Sequence, residues 1–173
     1  MKKNIIITGL PRSGKTTLLK EIVKQLDDTF GFVTNEIRKD GDRTGFEVET
    51  HLGKTSLLAS VDLNTDIKVS KYFVNIQNLE EIIPQMLTFS HENILFLDEI
   101  GQMELYSKKF KKLVNLYLDS NNLCIATLSK TYSDTFTEVI KSRNDVEIFE
   151  ITQENRQEQK QKIMELLKNN KAV

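Results

Sequence analysis

The eight residues Gly-Leu-Pro-Arg-Ser-Gly-Lys-Thr at positions 9–16 constrain the fold of this chain more than any other feature. They follow the apolar run Ile5 to Thr8 and precede a segment with helical spacing. A G-x-x-x-x-G-K-T pattern between a strand and a helix predicts a phosphate-binding loop, because its glycines let successive backbone N–H groups face one oxyanion. The positive end of the following helix adds to that attraction. Lys15 is then expected to reach the β- and γ-phosphates of a nucleoside triphosphate, and the Thr16 hydroxyl to bind Mg²⁺.

Beyond the loop, apolar runs of strand length alternate with amphipathic segments of helical length. The predicted strands are Asn4–Thr8, Gly31–Thr34, an extended piece at Tyr72–Ile76, Asn93–Leu97, Leu123–Leu128 and Val146–Ile151. The predicted helices are Lys15–Leu26, Asn78–Phe89, Ser107–Leu118, Asp134–Lys141 and Gln153–Leu167. This alternation predicts a three-layer α/β fold, in which helices cover both faces of a mainly parallel sheet.

Residues 36–60 interrupt that alternation. They contain the Asp-Gly turn signal at residues 40–41 and the short alternating stretch Phe-Glu-Val-Glu-Thr at residues 46–50. Such features favour antiparallel hairpins over strand–helix units. We therefore expect a β-hairpin insertion at about 36–60.

Composition limits the chain to an ordinary globular protein. Its 173 residues suit a single domain, 1–173, and its 39% hydrophobic and 28% charged residues argue against disorder and against membrane spanning. A net charge of -1 gives no clear reason for nucleic-acid binding. The apolar run after Lys3 is too short for a signal peptide. We expect a cytoplasmic monomer that meets no membrane.

A second apolar strand, ending at Leu97, leads into Asp98 and Glu99. In a parallel sheet the carboxyl ends of strands gather on one edge, so this pair is expected beside the phosphate-binding loop. Asp98 can hold Mg²⁺ through a water next to Thr16. Glu99 can act as general base toward an attacking water.

Arginine is scarce, with five residues against nineteen lysines, and three of the five are candidates for contacting substrate. Arg12 lies in the loop itself. Arg43, in a turn of the insertion, can supply charge in the transition state or remain in solvent. Arg156 can stack on the nucleotide base.

Several segments occur in the same order as in a known family. They are ITGLPRSGKTT, GFVTNEIR with GDRTGFEVET, VSKYFVNIQNLE, FLDEIGQMELYSKKF and IFEITQENR. Together they resemble the small nucleoside-triphosphatases that include the cancer-related nucleoside triphosphatase and its bacterial and archaeal relatives. The segment after Leu97, DEIGQMEL, is the most specific of them.

This resemblance implies a RecA-like P-loop domain that hydrolyses ATP, GTP and other nucleoside triphosphates to the diphosphate and phosphate, slowly, with Mg²⁺ and broad base tolerance. It places nucleotide contacts at Gly9, Leu10, Pro11, Arg12, Ser13, Gly14, Lys15, Thr16, Thr17, Leu97, Asp98, Glu99, Ile100, Gly101, Gln102, Met103 and Glu104. Gln102 stands where the family would have Lys or Pro, and Arg12 and Ser13 replace smaller residues. Lys15 and Glu99 are the predicted catalytic residues, and Thr16 and Asp98 the predicted metal ligands.

Two other classes of protein remain open. A small nucleotide or nucleoside kinase also uses such a loop, although the chain lacks an arginine-rich lid segment. A regulatory module gated by bound nucleotide has the same sequence features as a slow hydrolase. Free phosphate formed without an acceptor would distinguish hydrolysis from the kinase, and nucleotide-dependent capture of a partner would favour the module.

Overall fold

The computed structural model describes residues 2–171, which form one nine-stranded sheet and five α-helices. The strands are β1 (Asn4–Gly9), β2 (Thr29–Lys39), β3 (Asp42–Thr50), β4 (Thr55–Ser60), β5 (Lys68–Val69), β6 (Tyr72–Val74), β7 (Ile94–Ile100), β8 (Cys124–Ser129) and β9 (Val146–Glu150). The helices are α1 (Lys15–Val23), α2 (Ile76–Ile82), α3 (Lys108–Asp119), α4 (Thr135–Ser142) and α5 (Arg156–Lys171).

The sheet has the strand order β5-β6-β4-β3-β2-β7-β8-β1-β9. Strands β2, β7, β8, β1 and β9 run parallel, as the alternation of strands and helices predicts. The strands from β2 outward to β5 pair antiparallel. The α/β fold class is confirmed, and the antiparallel part is larger than the predicted hairpin.

Strand β2 joins the two halves of the sheet. Its first residues, Thr29 to Phe32, pair with β7, and the stretch from Phe32 to Lys39 pairs with β3. The antiparallel part therefore begins inside β2, before position 36. It continues past position 60 into β6 and the two-residue strand β5, which was not predicted.

Helices cover both faces of the parallel half because its strands are apolar on both sides. In β7, Ile94 and Phe96 face one layer, and Leu95 and Leu97 face the other. Helices α1 and α5 pack on the first face through Leu18, Leu19, Ile22, Ile163 and Leu167. Helices α2, α3 and α4 pack on the second face through Leu79, Ile82, Phe110, Leu113, Val114, Tyr117 and Ile140.

Capping residues set where α3 and α4 begin. The Ser107 hydroxyl accepts a hydrogen bond from the Phe110 N–H at 3.0 Å. Asp134 and Thr137 form a reciprocal capping box at the start of α4. These caps satisfy N–H groups that have no partner within the helix.

The predicted helix Asn78–Phe89 is too long at its C-terminal end. Helix α2 ends at Ile82, and a 3-10 turn follows at Ile83–Met86, with Pro84 inside it. Proline lacks the N–H that an α-helix would use there, so the chain tightens instead. No helix within residues 2–171 combines the length and apolar character needed to cross a membrane.

Candidate active site

The loop between β1 and α1 wraps around the N-terminus of α1. Gly14 caps the helix with φ 93°, a left-handed conformation that favours glycine. A β-carbon at this position would also lie 2.6 Å from Nη1 of Arg156, so a larger residue would have to displace that side chain. The loop therefore has the shape of an anion site at a helix N-terminus.

Lys15 is buried within this loop. Its ammonium donates to the carbonyl oxygens of Gly9 and Leu10 at 3.1 and 3.4 Å. The same Nζ lies 3.8 Å from Oε2 of Glu99. The structure thus brings the two predicted catalytic side chains together across the cleft.

Asp98 lies fully buried at the carboxyl end of β7. Its Oδ1 accepts hydrogen bonds from the hydroxyls of Thr16, at 3.1 Å, and Thr127. Its Oδ2 accepts from the backbone N–H of Thr34 at 3.3 Å. Burial raises the pKa of Asp98, and these hydrogen bonds oppose that rise.

The pair formed by Thr16 and Asp98 fits a Mg²⁺ site. Both side chains present oxygen atoms, the donors that Mg²⁺ prefers. The carboxylate is buried and held in place by neutral hydroxyl and amide groups, which support its charge without cancelling it. The donor set that the sequence predicts is therefore assembled in the fold.

Glu99 follows Asp98 through a cis peptide bond and reaches into the cleft, with its side chain 31% exposed. Burial raises the pKa of Glu99, and attraction from Lys15 opposes this rise. A carboxylate with a raised pKa accepts protons more readily at neutral pH. Its position suits a general base.

The cleft has a volume of about 620 Å³ and reaches from the phosphate-binding loop to the antiparallel half of the sheet. The predicted residues that line it are Pro11, Arg12, Gly14, Lys15, Thr16, Thr17, Arg43, Asp98, Glu99, Gly101, Gln102, Met103 and Glu104. A smaller cavity of about 210 Å³ adjoins the loop, between residues 10–13 and 150–154. Leu10 and Ser13 line this smaller cavity.

Leu97 and Ile100 are placed differently from the other members of the predicted contact segment. Both are fully buried in the core, so their side chains do not reach the cleft. They lie on either side of Asp98 and Glu99, where the pairing of β7 with β8 shifts register, and both pack in the same core layer. Gly9 is also buried, and it contributes the carbonyl that binds Lys15.

Arg43 lines the cleft, and its side chain is held by neighbouring residues of the antiparallel half of the sheet. Its Nη1 contacts Oε1 of Glu36 at 2.8 Å, and its Nε donates to the Tyr72 hydroxyl at 2.9 Å. The guanidinium also lies 5.1 Å from the centre of the Phe46 ring. This side chain is ordered by the antiparallel half of the sheet, so the insertion forms one wall of the site.

Arg156 belongs to the first turn of α5, and its guanidinium packs against Gly14. Gln153, three residues before Arg156, adds a second contact to the loop. Its side chain donates to the Arg12 carbonyl at 3.4 Å. The segment before α5 therefore supports the back of the phosphate-binding loop.

Sequence reasoning missed several polar residues of the site, among them Thr34, Thr127 and Lys20. Thr34 and Thr127 bind Asp98, and Lys20 lines the cleft and donates to Oδ1 of Asn35 at 2.5 Å. Thr127 carried a usable signal, because it is a hydroxyl inside the otherwise apolar run of β8. A buried polar group requires a partner, and Asp98 provides it.

This chain is similar to known proteins over nearly its whole length. The sequence profile described as NTPase matches residues 4–164. The nucleoside-triphosphatase THEP1 of Thermotoga sp. (strain RQ2) is 44% identical over 170 residues, which cover 97% of each chain. The protein of the same name from Aquifex aeolicus is 36% identical and covers 94% of this chain and 98% of its own.

Two solved structures share the fold. The crystal structure of THEP1 from Aquifex aeolicus superposes with a TM-score of 0.86 at 35% identity, covering 95% of this chain and 98% of that one. The solution structure of a human cancer-related nucleoside triphosphatase gives a TM-score of 0.84 at 29% identity, covering 96% and 98%. The architecture is thus shared over nearly the whole chain.

Proposed function

Because this chain belongs to the NTPase family, we propose that it hydrolyses nucleoside triphosphates to the diphosphate and phosphate with Mg²⁺. The family membership confirms the resemblance drawn from the five ordered segments, of which DEIGQMEL is the most specific. One observation carries the proposed mechanism: the Thr16 hydroxyl lies 3.1 Å from Asp98, and Glu99 reaches into the same cleft. The proposed metal ligands and base are thus adjacent, with Asp98 and Glu99 near the end of β7 and Thr16 at the start of α1.

The loop residues 9–16 bind the triphosphate in this proposal. Their backbone N–H groups and the N-terminus of α1 attract the phosphate oxygens. Lys15 exchanges its carbonyl partners for the β- and γ-phosphates, where it neutralises charge that grows during bond cleavage. This use of Lys15 is chiefly electrostatic.

Thr16 and Asp98 would hold Mg²⁺, with Asp98 acting through a water. When bound, Mg²⁺ neutralises charge on the β- and γ-phosphate oxygens. Thr34 and Thr127 keep the Asp98 carboxylate aimed at Thr16.

Glu99 is the proposed general base. Its carboxylate takes a proton from water as the water oxygen bonds to the γ-phosphorus. The bond between that phosphorus and the bridging oxygen breaks, and the diphosphate leaves. The ion pair with Lys15 orients Glu99 before the reaction.

The remaining predicted contacts have smaller proposed roles. Arg12 and Arg43 line the cleft and can stabilise transition-state charge; for Arg43 this requires release from Glu36. Arg156 packs against Gly14 and is not among the residues that line either cavity, so it supports the loop from behind; stacking on a nucleotide base would require it to leave Gly14. We propose broad base tolerance and slow turnover, as the resemblance to the family implies.

We propose that residues 1–173 act as one domain and as a monomer, in the cytoplasm where nucleotides and Mg²⁺ are abundant. No nucleic-acid or membrane partner is required for this reaction. Size-exclusion chromatography with light scattering checks the monomer.

The test of the proposed function is phosphate release from several nucleoside triphosphates with Mg²⁺. Glu99→Gln removes the base with little change in size, so kcat should fall about 10²- to 10⁴-fold while nucleotide still binds. Glu80→Gln is the matched control, because Glu80 contacts Ser107 and Lys109 outside the cleft. Equal activity of wild type and Glu99→Gln would contradict the assigned base. Release of phosphate only with an added acceptor would favour a kinase.

A further inference from the structure

One buried acidic group in the cleft has no role in the mechanism above. Glu104 lines the cleft but is only 5% exposed, and it begins the 3-10 turn Glu104–Tyr106. The turn is fixed by a hydrogen bond from the Leu105 N–H to the Gly101 carbonyl at 3.1 Å. The turn therefore directs an acidic side chain back toward the end of β7.

Gly101 lies between this carboxyl and the proposed base. A β-carbon on Gly101 would lie 2.9 Å from Oε1 of Glu99 and 3.0 Å from Oε2 of Glu104. These two oxygens therefore lie no more than about 6 Å apart, within the span of a hydrogen bond through one water. Glycine at position 101 leaves the space beside both oxygens free of a side chain.

Two carboxyl groups this close rarely ionise together. Burial, followed by repulsion from Glu99 and Asp98, raises the pKa of Glu104 to about 8. Lys15 lies 3.8 Å from Glu99 and favours its ionised form, whereas the backbone N–H groups of Glu104 and Gly101 only partly oppose the rise in the pKa of Glu104. Glu104 is thus the member of the pair that retains its proton at neutral pH.

We propose that Glu104 is a positioning residue whose protonated carboxyl donates a hydrogen bond toward Oε1 of Glu99 and fixes that carboxylate on the attacking water. Lys15 holds the other oxygen, Oε2, from the opposite side. Glu99 is then oriented at both oxygens, by charge at one and by a hydrogen bond at the other. This role rests on the proposed hydrolysis and adds a residue to it.

The first test compares Glu104→Gln with Glu104→Leu. Glutamine keeps a neutral side chain of the same length with an N–H donor, so its kcat should stay within a few-fold of wild type. Leucine fills the space but removes the donor, and its kcat should fall about 10- to 100-fold, the usual effect of losing a hydrogen bond to a charged group. KM should change little in both, because Glu104 does not contact the triphosphate in this proposal. Thermal unfolding and nucleotide affinity report whether each variant is folded.

Gly101→Ala provides an independent test with both carboxyls present. The added methyl group would contact flexible side-chain ends, so the fold should be kept while the two carboxyls are forced apart. We expect a fall in kcat similar to that of Glu104→Leu. Glu80→Gln, near the same turn but outside the cleft, should match wild type.

Two results would overturn the positioning role while leaving hydrolysis intact. One is wild-type kcat in both Glu104→Leu and Gly101→Ala, with Glu99→Gln inactive. The other is equal loss in Glu104→Gln and Glu104→Leu, which would mean that the ionised form of Glu104 is required. An inactive wild-type protein would instead contradict the proposed function itself.

Discussion

At the scale of single residues, the carboxylate of Asp98 is held by neutral groups. Hydroxyls of Thr16 and Thr127 and the N–H of Thr34 surround its two oxygens. Neutral donors stabilise a buried charge without cancelling it, so the carboxylate still attracts a cation. In the proposed Mg²⁺ site we therefore expect all three threonines to affect metal binding, although only Thr16 is a proposed ligand.

Thr127→Val should weaken this support. Valine keeps the shape of threonine but removes the hydroxyl, so the Mg²⁺ concentration for half-maximal phosphate release should rise about 10-fold or more. A magnesium titration of steady-state activity measures the shift. Thr127→Ser restores the hydroxyl and should restore the wild-type curve. A wild-type magnesium dependence in Thr127→Val would contradict a supporting role for Thr127.

The buried carboxyl of Glu104 makes stability depend on pH. Its pKa rises from 4.5 to about 8 on folding, so between these values the folded protein holds a proton that the unfolded chain has released. The contribution of this bound proton to the free energy of unfolding is fully present below about pH 4.5 and is lost as pH rises through about 8. Glu104→Gln cannot lose this proton. Its free energy of unfolding should gain roughly 3 to 5 kcal/mol relative to wild type between pH 5 and pH 8.

Urea unfolding of both proteins at several pH values in this range measures that difference. Asp98 and Glu99 are present in both proteins, so their own titration largely cancels in the comparison. Parallel pH profiles for wild type and Glu104→Gln would show that Glu104 titrates normally.

At the scale of secondary-structure elements, helix α4 depends on its first turn. Oδ1 of Asp134 accepts from the Thr137 N–H at 2.9 Å, and the Thr137 hydroxyl accepts from the Asp134 N–H at 2.9 Å. Asp134→Ala should lower the free energy of unfolding by about 1 kcal/mol. Thermal denaturation measures the loss. Asp134→Asn can still cap and should lose less, so equal losses would assign the effect to charge instead.

Elements built from local pattern could be predicted, and elements shaped by distant contacts could not. The apolar run before Gly9 and the periodicity after Lys15 gave β1 and α1, apart from the last three residues of the predicted helix. Helix α2 was predicted too long, because a 3-10 turn that contains Pro84 follows it. The Met86 carbonyl of this turn accepts a hydrogen bond from the Tyr117 hydroxyl at 2.9 Å, and Tyr117 is distant in sequence. No local signal contains that contact.

The same distinction applies to the site. Lys15, Thr16, Asp98 and Glu99 follow from two strand ends, because parallel strands bring their carboxyl ends together. The packing of Arg156 against Gly14 joins residues far apart in sequence and could not be read from either segment.

At the scale of the whole molecule, one sheet carries two separate helical layers. Phe110 lies in the layer of α3 and Leu167 in the layer of α5, and both are almost fully buried. A shared sheet should make the two layers unfold together.

Phe110→Ala and Leu167→Ala should each lower the free energy of unfolding by about 2 to 5 kcal/mol. Far-UV circular dichroism and tyrosine fluorescence should still give coincident transitions in both variants. Leu116→Ala, at a partly exposed position of α3, should change stability by less than about 0.5 kcal/mol. Separated transitions would contradict the expectation of a single domain.

The antiparallel extension also determines which strand forms one edge of the sheet, where another chain could pair. Its outermost strand on that side, β5, is two residues long, too short to template a further strand from another chain. The opposite margin is β9, which carries the carboxylates of Glu147 and Glu150. Short and charged edge strands resist edge-to-edge aggregation. The insertion that forms one wall of the cleft therefore also covers the long edge of β2. The sheet ends instead on a strand too short to pair with another chain.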